Sequence, residues 1–236
     1  MLSPDDLTAL VLTVKLALVV TMILLLVSFP LAWWLAHSRS RLTIVINALV
    51  TMPLVLPPTV LGFYFLLAMA PQGFLGQAFQ AVGLDAPAFS FSGLVIGSIV
   101  YSLPFVVQPL QNTFLNIGSR PMQVAASLGA GRIDRFFTVL LPLAKKGLIV
   151  ATVLGFAHTV GEFGVVLMIG GSIPGETKVV AIQIYEYVEL IDYAKAHRLS
   201  LLLVGFSFVT LLILYRFTAY TPMWVAKSKE VDREST

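Results

Sequence analysis

Gln123-Val124-Ala125-Ala126-Ser127-Leu128-Gly129-Ala130-Gly131-Arg132, followed by Phe136-Phe137-Thr138-Val139-Leu140-Leu141-Pro142, is the stretch on which the reading of this chain turns. It is too polar to cross a bilayer and too apolar to be a linker. The pattern predicts a short helix, a glycine-containing turn, and a second helix ending before Pro142. Ala125, Ala126 and Leu128 leave a small apolar surface, and Gly129 and Gly131 permit tight turns. A solvent-facing helix-turn-helix of this kind is suited to the groove of another protein.

The sequence on either side supplies the context. Of its 236 residues, 58% are hydrophobic and 11% charged, against roughly a quarter charged in soluble domains. A water-soluble fold of this size has too little interior for that much apolar surface. Five stretches, 7–35, 42–70, 92–115, 147–169 and 199–219, are apolar and long enough to cross about 30 Å of hydrocarbon at ~1.5 Å per residue. Short alternating segments of a β-barrel are absent, so the class expected is an all-α integral membrane protein with five spans. Residues 185–196 read as an amphipathic helix with Ile184, Tyr187, Val188 and Ile191 on one face. It lies at the interface or forms a sixth, partial membrane element.

Placement of Lys and Arg orients the spans. Arg39 and Arg41 follow the first span; Arg120, Arg132, Arg135, Lys145 and Lys146 lie between the third and fourth; Arg216, Lys227, Lys229 and Arg233 mark the end. Residues 71–90 have neither type. Five spans put the basic segments on the cytoplasmic side, with the N-terminus outside. Residues 1–6 are then a short external segment, 7–220 the membrane domain and 221–236 a cytoplasmic tail too short for a regulatory domain. The acidic start, Asp5-Asp6, lacks the basic region of a removable signal. Trp33, Trp34, Tyr215 and Trp224 fit an aromatic belt at the cytoplasmic boundary.

Some residues admit two readings. Pro53, Pro57 and Pro58 interrupt the second span, as a bend lining a pathway or as a static kink. Gly93 and Gly97 permit close helix approach, although that spacing is common by chance. Lys15 either contacts an anion on a pathway or snorkels to the outer interface. Glu162 is a deep carboxylate between Gly161 and Gly164, so an irregular helix is expected there. It anchors structure or acts in a gate, and its charge would repel a dianionic substrate. His158 lies four residues earlier, but two ligands are too few for a metal site, and no metal or cofactor is expected.

Enzymatic and nucleotide-binding chemistry finds no support. The string Gly170-Gly171-Ser172-Ile173-Pro174-Gly175-Glu176-Thr177 has Glu where a P-loop needs Lys. His37, His158 and His197 are dispersed, and nothing matches a metalloprotease or nucleophile-elbow pattern. A secondary transporter would be expected to show inverted repeats and several ion-coupling carboxylates.

The 123–142 stretch resembles the EAA loop of ABC importer permeases, whose pattern is Glu-Ala-Ala, three residues, Gly, nine residues, Ile, one residue, Leu-Pro. Gln123 stands for Glu, Val124 and Ala125 for the alanines, Gly129 for the glycine, Val139 for Ile, and Leu141-Pro142 close the motif, with Ala130 and Gly131 in the turn. Gln123 and Val124 depart from the pattern; Gln keeps hydrogen bonding and loses charge. The Leu56-Pro57-Pro58 string, Gly161-Glu162-Phe163-Gly164 and Ile173-Pro174-Gly175-Glu176-Thr177 extend the likeness to the molybdate permease family over nearly the whole chain. Sulfate and thiosulfate permeases, the alternative, share the Gly-Glu-Phe-Gly element. The resemblance implies a type I ABC importer permease fold in the cytoplasmic (inner) membrane. It implies a coupling loop at 116–145 that docks on a separate ATPase dimer, a homodimer of this subunit, and an external binding protein delivering molybdate or tungstate. The lipid bilayer is its medium, and no nucleic-acid partner is expected.

Overall fold

The computed structural model describes residues 2–218. The calls on Lys227, Lys229, Arg233, Trp224 and the 221–236 tail lie outside the described residues. Helix α1 spans Pro4–His37. Ser3 caps it in a reciprocal capping box with Asp6, and Pro4 sits in the first turn, where its missing N–H costs nothing. Leu12, Leu16, Val20, Leu24, Ser28, Ala32 and Leu35 form one buried stripe at helical spacing. The opposite face carries Val11, Leu18, Met22 and Leu26, which are 52–76% exposed. An inside and an outside that are both apolar describe a helix solvated by acyl chains.

Helix α2 (Leu42–Val55) and helix α3 (Pro58–Met69) replace the single second span. Leu56 and Pro57 are extended between them, because Pro57 and Pro58 cannot donate to the preceding turn. Pro53 lies inside α2 without ending it. Helix α4 (Phe74–Ala81) follows a short turn, so α3 and α4 together make the second long apolar unit. Helix α5 (Phe91–Ile117) is capped by Ser90 and is half buried along its length. Five units in the described residues are long and apolar enough to cross a membrane, and α2 is a shorter apolar helix beside them.

After α5 come α6 (Arg120–Ser127), α7 (Arg132–Arg135) and a π-turn over Phe136–Leu140, which runs directly into α8 (Leu141–Gly161). The expectation that the second helix of this segment ends before Pro142 is corrected here. The Leu141 N–H reaches back five residues to the Phe136 carbonyl, and this widened turn lets the helix continue through the proline. Helix α9 (Gly164–Gly170) is separated from α8 by the extended Glu162, so the expected fourth span is two pieces. Helix α10 (Val180–Glu189) and helix α11 (Tyr193–Thr218) complete the chain.

The amphipathic helix expected over 185–196 is also corrected. It ends at Glu189, Ile191 takes a left-handed conformation, and the Asp192 side chain accepts the Lys195 N–H to start α11. Ile191 is 71% exposed, while Val180, Gln183 and Tyr187 form the buried face.

Helices α1, α5 and α8 pack together as the core, with Val106, Val107, Leu110, Phe114, Ala144 and Ala151 between them. In lipid such packing rests on close van der Waals fit and not on the hydrophobic effect. A methyl group on Gly147 would stand 2.0 Å from Thr113 Oγ1 and 2.7 Å from its Cβ. Gly205 on α11 has nothing within 4 Å. Gly147→Ala is therefore expected to cost about 1–3 kcal/mol. Gly205→Ala should be neutral or slightly stabilising, and thermal unfolding of the two variants side by side checks the contrast.

Candidate functional site

The segment from Arg120 to Leu140 is built on one turn. Gly129 has φ +86°. The Ala130 N–H donates to the Ala125 carbonyl and the Gly129 N–H to the Ala126 carbonyl, both at 3.0 Å, which is the Schellman arrangement that closes a helix. This gives Ala125, Gly129 and Ala130 physical roles in the turn, and Gly131 precedes α7 as its N-terminal flank. Gln123 is exposed and donates from Nε2 to Ser119 Oγ at 3.3 Å. Val124, Leu128, Ile133 and Phe137 are 52–83% exposed and make an apolar edge. Val139 and Leu141 are half-buried, and Pro142 is exposed.

Behind that edge the segment is fastened to the core. Arg135 donates to the Met122 and Gly131 carbonyls, holding α7 to α6. The Phe136 ring meets Phe29 of α1 at 5.4 Å, Phe29 meets Phe114 of α5 at 5.0 Å, and Phe114 meets Trp33 at 5.3 Å. These edge-on contacts, each worth about 0.5–1.5 kcal/mol beyond area burial, make an aromatic column from this segment into the helices. Trp33 is thus part of the core packing as well as near a helix end.

The second group of expected residues meets at the two helix breaks. Pro58 at the start of α3 lies against Gly164 at the start of α9, where an added methyl would stand 2.7 Å from the Pro58 ring. Pro57 is exposed beside it and Glu162 is buried. Pro53 is buried a turn earlier in α2 and is not part of this junction. Lys15 is exposed on α1 with Nζ 4.5 Å above the Phe91 ring.

Sequence reasoning missed a polar network between α5 and α8. His158 Nδ1 lies 2.9 Å from Ser102 Oγ, and Ser102 lies 3.1 Å from Thr159 Oγ1, which donates to the Gly155 carbonyl. The Ser102 hydroxyl thus bridges the imidazole and the Thr159 hydroxyl. Phe105 stacks on the imidazole at 3.8 Å. The signal available was Ser98 and Ser102, four apart on an apolar helix. Among the described residues no three His, Asp or Glu side chains group as a metal site.

On the other end of the molecule, the Ile173–Thr177 string closes on itself. Buried Thr177 donates to the Gly170 carbonyl and accepts the Ile173 N–H. Thr13 of α1 accepts the Val180 N–H at 2.8 Å, and Tyr187 donates to Asp6 at 2.8 Å. Glu186 accepts from Lys178 and Ser172. Burial alone would raise the Glu186 carboxyl, but these hydrogen bonds and the Lys178 charge outweigh it and hold it below its ordinary 4.5.

Comparison with known proteins follows this geometry. Residues 28–221 match the family described as the binding-protein-dependent transport system inner membrane component. The chain belongs to that family. It is 58% identical over 214 residues to the molybdenum transport system permease protein ModB of Azotobacter vinelandii, covering 91% of this chain and 95% of that one. The ModB of Escherichia coli K12 is 34% identical over 85% of this chain and 90% of its own length. A sulfate transport system permease, CysT of Synechocystis, is 30% identical, with 64% of its length covered. Among solved structures, a bacterial alginate ABC transporter matches with TM-score 0.73 at 16% identity, covering 92% of this chain and 79% of that chain. The MetNI methionine ABC transporter matches with TM-score 0.68 at 18% identity, covering 92% and 98%. The fold is that of the ABC importer permeases.

Two outcomes test the geometry. Gly129→Val forces a β-branched residue into the left-handed turn, at about 1–2 kcal/mol. Hydrogen exchange should accelerate in residues 120–131 and stay unchanged in α1 and α5. The second concerns pH. A carboxyl with a lowered folded pKa adds stability above its unfolded pKa and loses it as pH falls through the folded value. The parent should therefore be more stable than Glu186→Gln at neutral pH, by about 1 kcal/mol or less. The difference should vanish in acid below the ordinary carboxylate range.

Proposed function

We propose that this chain is the translocating subunit of an ABC importer for molybdate. Two copies would line a central path, a cytoplasmic ATPase dimer would drive them, and an external binding protein would load them. The observation that carries the importer reading is the exposed apolar edge of Val124, Leu128, Ile133 and Phe137 on a capped, fastened segment. A surface held this rigidly suits a groove in a partner protein. Its closure would push on α1 and α5 through the Phe136–Phe29–Phe114 column and switch access from one side to the other.

The substrate reading rests on the ModB relatives, which are matched at higher identity and over more of their length than the sulfate permease. Tungstate has the same shape and charge and would follow the same route. The proposed orientation has support from charge: Arg39, Arg41, Arg120, Arg132, Arg135, Lys145 and Lys146 gather at the coupling end, which favours a cytoplasmic position for it. The cleft of about 330 Å³ at the opposite end, lined by Asp5, Lys178, Glu186 and Lys195 among others, would then face the binding protein. The junction of Pro57 and Pro58 with the Glu162 break is the proposed gate.

The test is co-expression with the ATPase and binding protein, then ATPase assays in liposomes. Loaded binding protein should stimulate hydrolysis with molybdate or tungstate and not with sulfate; stimulation by sulfate would overturn the substrate reading. Paired Leu128→Asp and Ile133→Asp should weaken ATPase co-purification about tenfold or more, as loss of a buried interface anchor does, while membrane insertion persists. Undiminished co-purification would remove the coupling assignment.

A further inference from the structure

Helix α1 is longer than the hydrocarbon it crosses. Its 34 residues rise about 50 Å at ~1.5 Å per residue, against roughly 30 Å of hydrocarbon. Trp34, exposed near the end of the helix, is of the type that anchors at a headgroup boundary. Lys15 stands about 29 Å of helical rise back from Trp34, one hydrocarbon thickness away. Beyond Lys15 the helix is tied by polar bonds, Thr13 to Val180 and Asp6 to Tyr187, as suits a part outside the hydrocarbon. Lys15 therefore sits at the headgroup level of the opposite leaflet.

Its ammonium is exposed and short of acceptors. Nζ lies 4.5 Å above the Phe91 ring. A ring face balances part of the charge but offers no oxygen to the three N–H donors. The ion pairs of the described residues, Lys178–Glu186 and Lys195–Asp192, do not include Lys15. The side chain opens on a cavity of about 370 Å³, lined otherwise by Leu7, Thr8, Val11, Leu12 and Gly175, none of them charged. A cation at this depth draws negatively charged headgroups.

One turn further into the hydrocarbon, Leu18 begins a second recess on the exposed side of α1. This groove of about 380 Å³ runs between α1, α8 and α11, with Leu18, Met22, Leu25, Phe156, Phe206 and Ile213 in its wall. Thr152 turns its hydroxyl back to the Leu148 carbonyl, and the Thr21 hydroxyl is buried out of reach, so the surface offered is hydrocarbon. A helix from a second copy, about 10 Å across and laid along the rise from Leu18 to Leu25, needs roughly 800 Å³. The groove has about half that room, enough for a single acyl chain and too little for a helix. A lone cation at headgroup depth, with an apolar groove leading inward from it, is the complement of a charged lipid. We propose that α1 holds one anionic phospholipid, its phosphate on the Lys15 ammonium and one acyl chain in the groove between α1, α8 and α11. The chain fills the gap beside α11, which packs on α8 and α10. This inference rests on the membrane setting and not on the transport reading, and its test reads lipid binding alone.

The experiment is native mass spectrometry of the full chain in detergent, with palmitoyl-oleoyl phosphatidylglycerol and phosphatidylcholine added in equal amounts. The parent should keep one phosphatidylglycerol per chain, preferred about fivefold, the factor that one cationic side chain at a membrane surface supplies. Lys15→Gln should equalise the two lipids. Met22→Trp, which fills the groove from its exposed rim, should lower retention of both. Equal retention of the two lipids by the parent overturns the proposal, whether or not the variants fold. So does a preference that survives Lys15→Gln. If Met22→Trp breaks a dimer and leaves lipid retention unchanged, the groove belongs to a second copy and the proposal falls. Millimolar molybdate should leave the bound lipid in place; displacement would give Lys15 to the free oxyanion and overturn the lipid assignment.

Discussion

Within hydrocarbon every backbone N–H and C=O must find a partner inside the protein, and this constraint organises the rest of the molecule. It explains why the described regular structure is helical. It also explains where the helices stop. The two interruptions at membrane depth, Leu56–Pro57 and Glu162–Phe163, are not scattered over the lipid-facing surface. Gly164 brings them together against Pro58, so the irregular backbone of each is screened by the other. Helix α5, which belongs to that core, packs against both α9 and α3 and backs the junction.

The segment from Arg120 to Leu140 obeys a different rule, because it is short, polar and mostly exposed. Its order comes from hydrogen bonds: the Schellman closure at Gly129 and the Arg135 ties. Its connection to the spans comes from the π-turn, which carries the helix through Pro142 without a break in rigidity. A hinge at that proline would have absorbed motion. A continuous element from Arg132 to Gly161 can pass it on.

Much of this was legible beforehand. Hydropathy gave the number of spans and located the first, third and fifth, because length and apolarity are enough when the solvent is lipid; the second and fourth it drew across the breaks at Leu56–Pro57 and Glu162. The double proline located the first break, because proline removes a donor wherever it sits. The spacing from Gln123 to Pro142 located a short helix closed by a glycine turn. What escaped was decided by contacts between distant residues or by local competition. The passage of the helix through Pro142 depends on a five-residue hydrogen bond that no propensity encodes. The end of α10 depends on Asp192 capping a new helix sooner than periodicity indicates. The Ser102–His158 bond joins positions 56 residues apart, and a lone histidine in an apolar run says nothing about which serine it will meet.

The bonds at the start of α1 carry a consequence for biogenesis. Asp6 and Thr13 lie on α1, yet their partners Tyr187 and Val180 come 181 and 167 residues later. Until those residues leave the ribosome, a carboxylate and a threonine hydroxyl near the head of α1 lack their final tertiary partners, although Ser3 and the Ala9 carbonyl engage them locally. A nascent chain thus carries a chemical mark of incompleteness at the head of α1. The mark is erased when α10 docks on α1, with α11 still to follow in the chain.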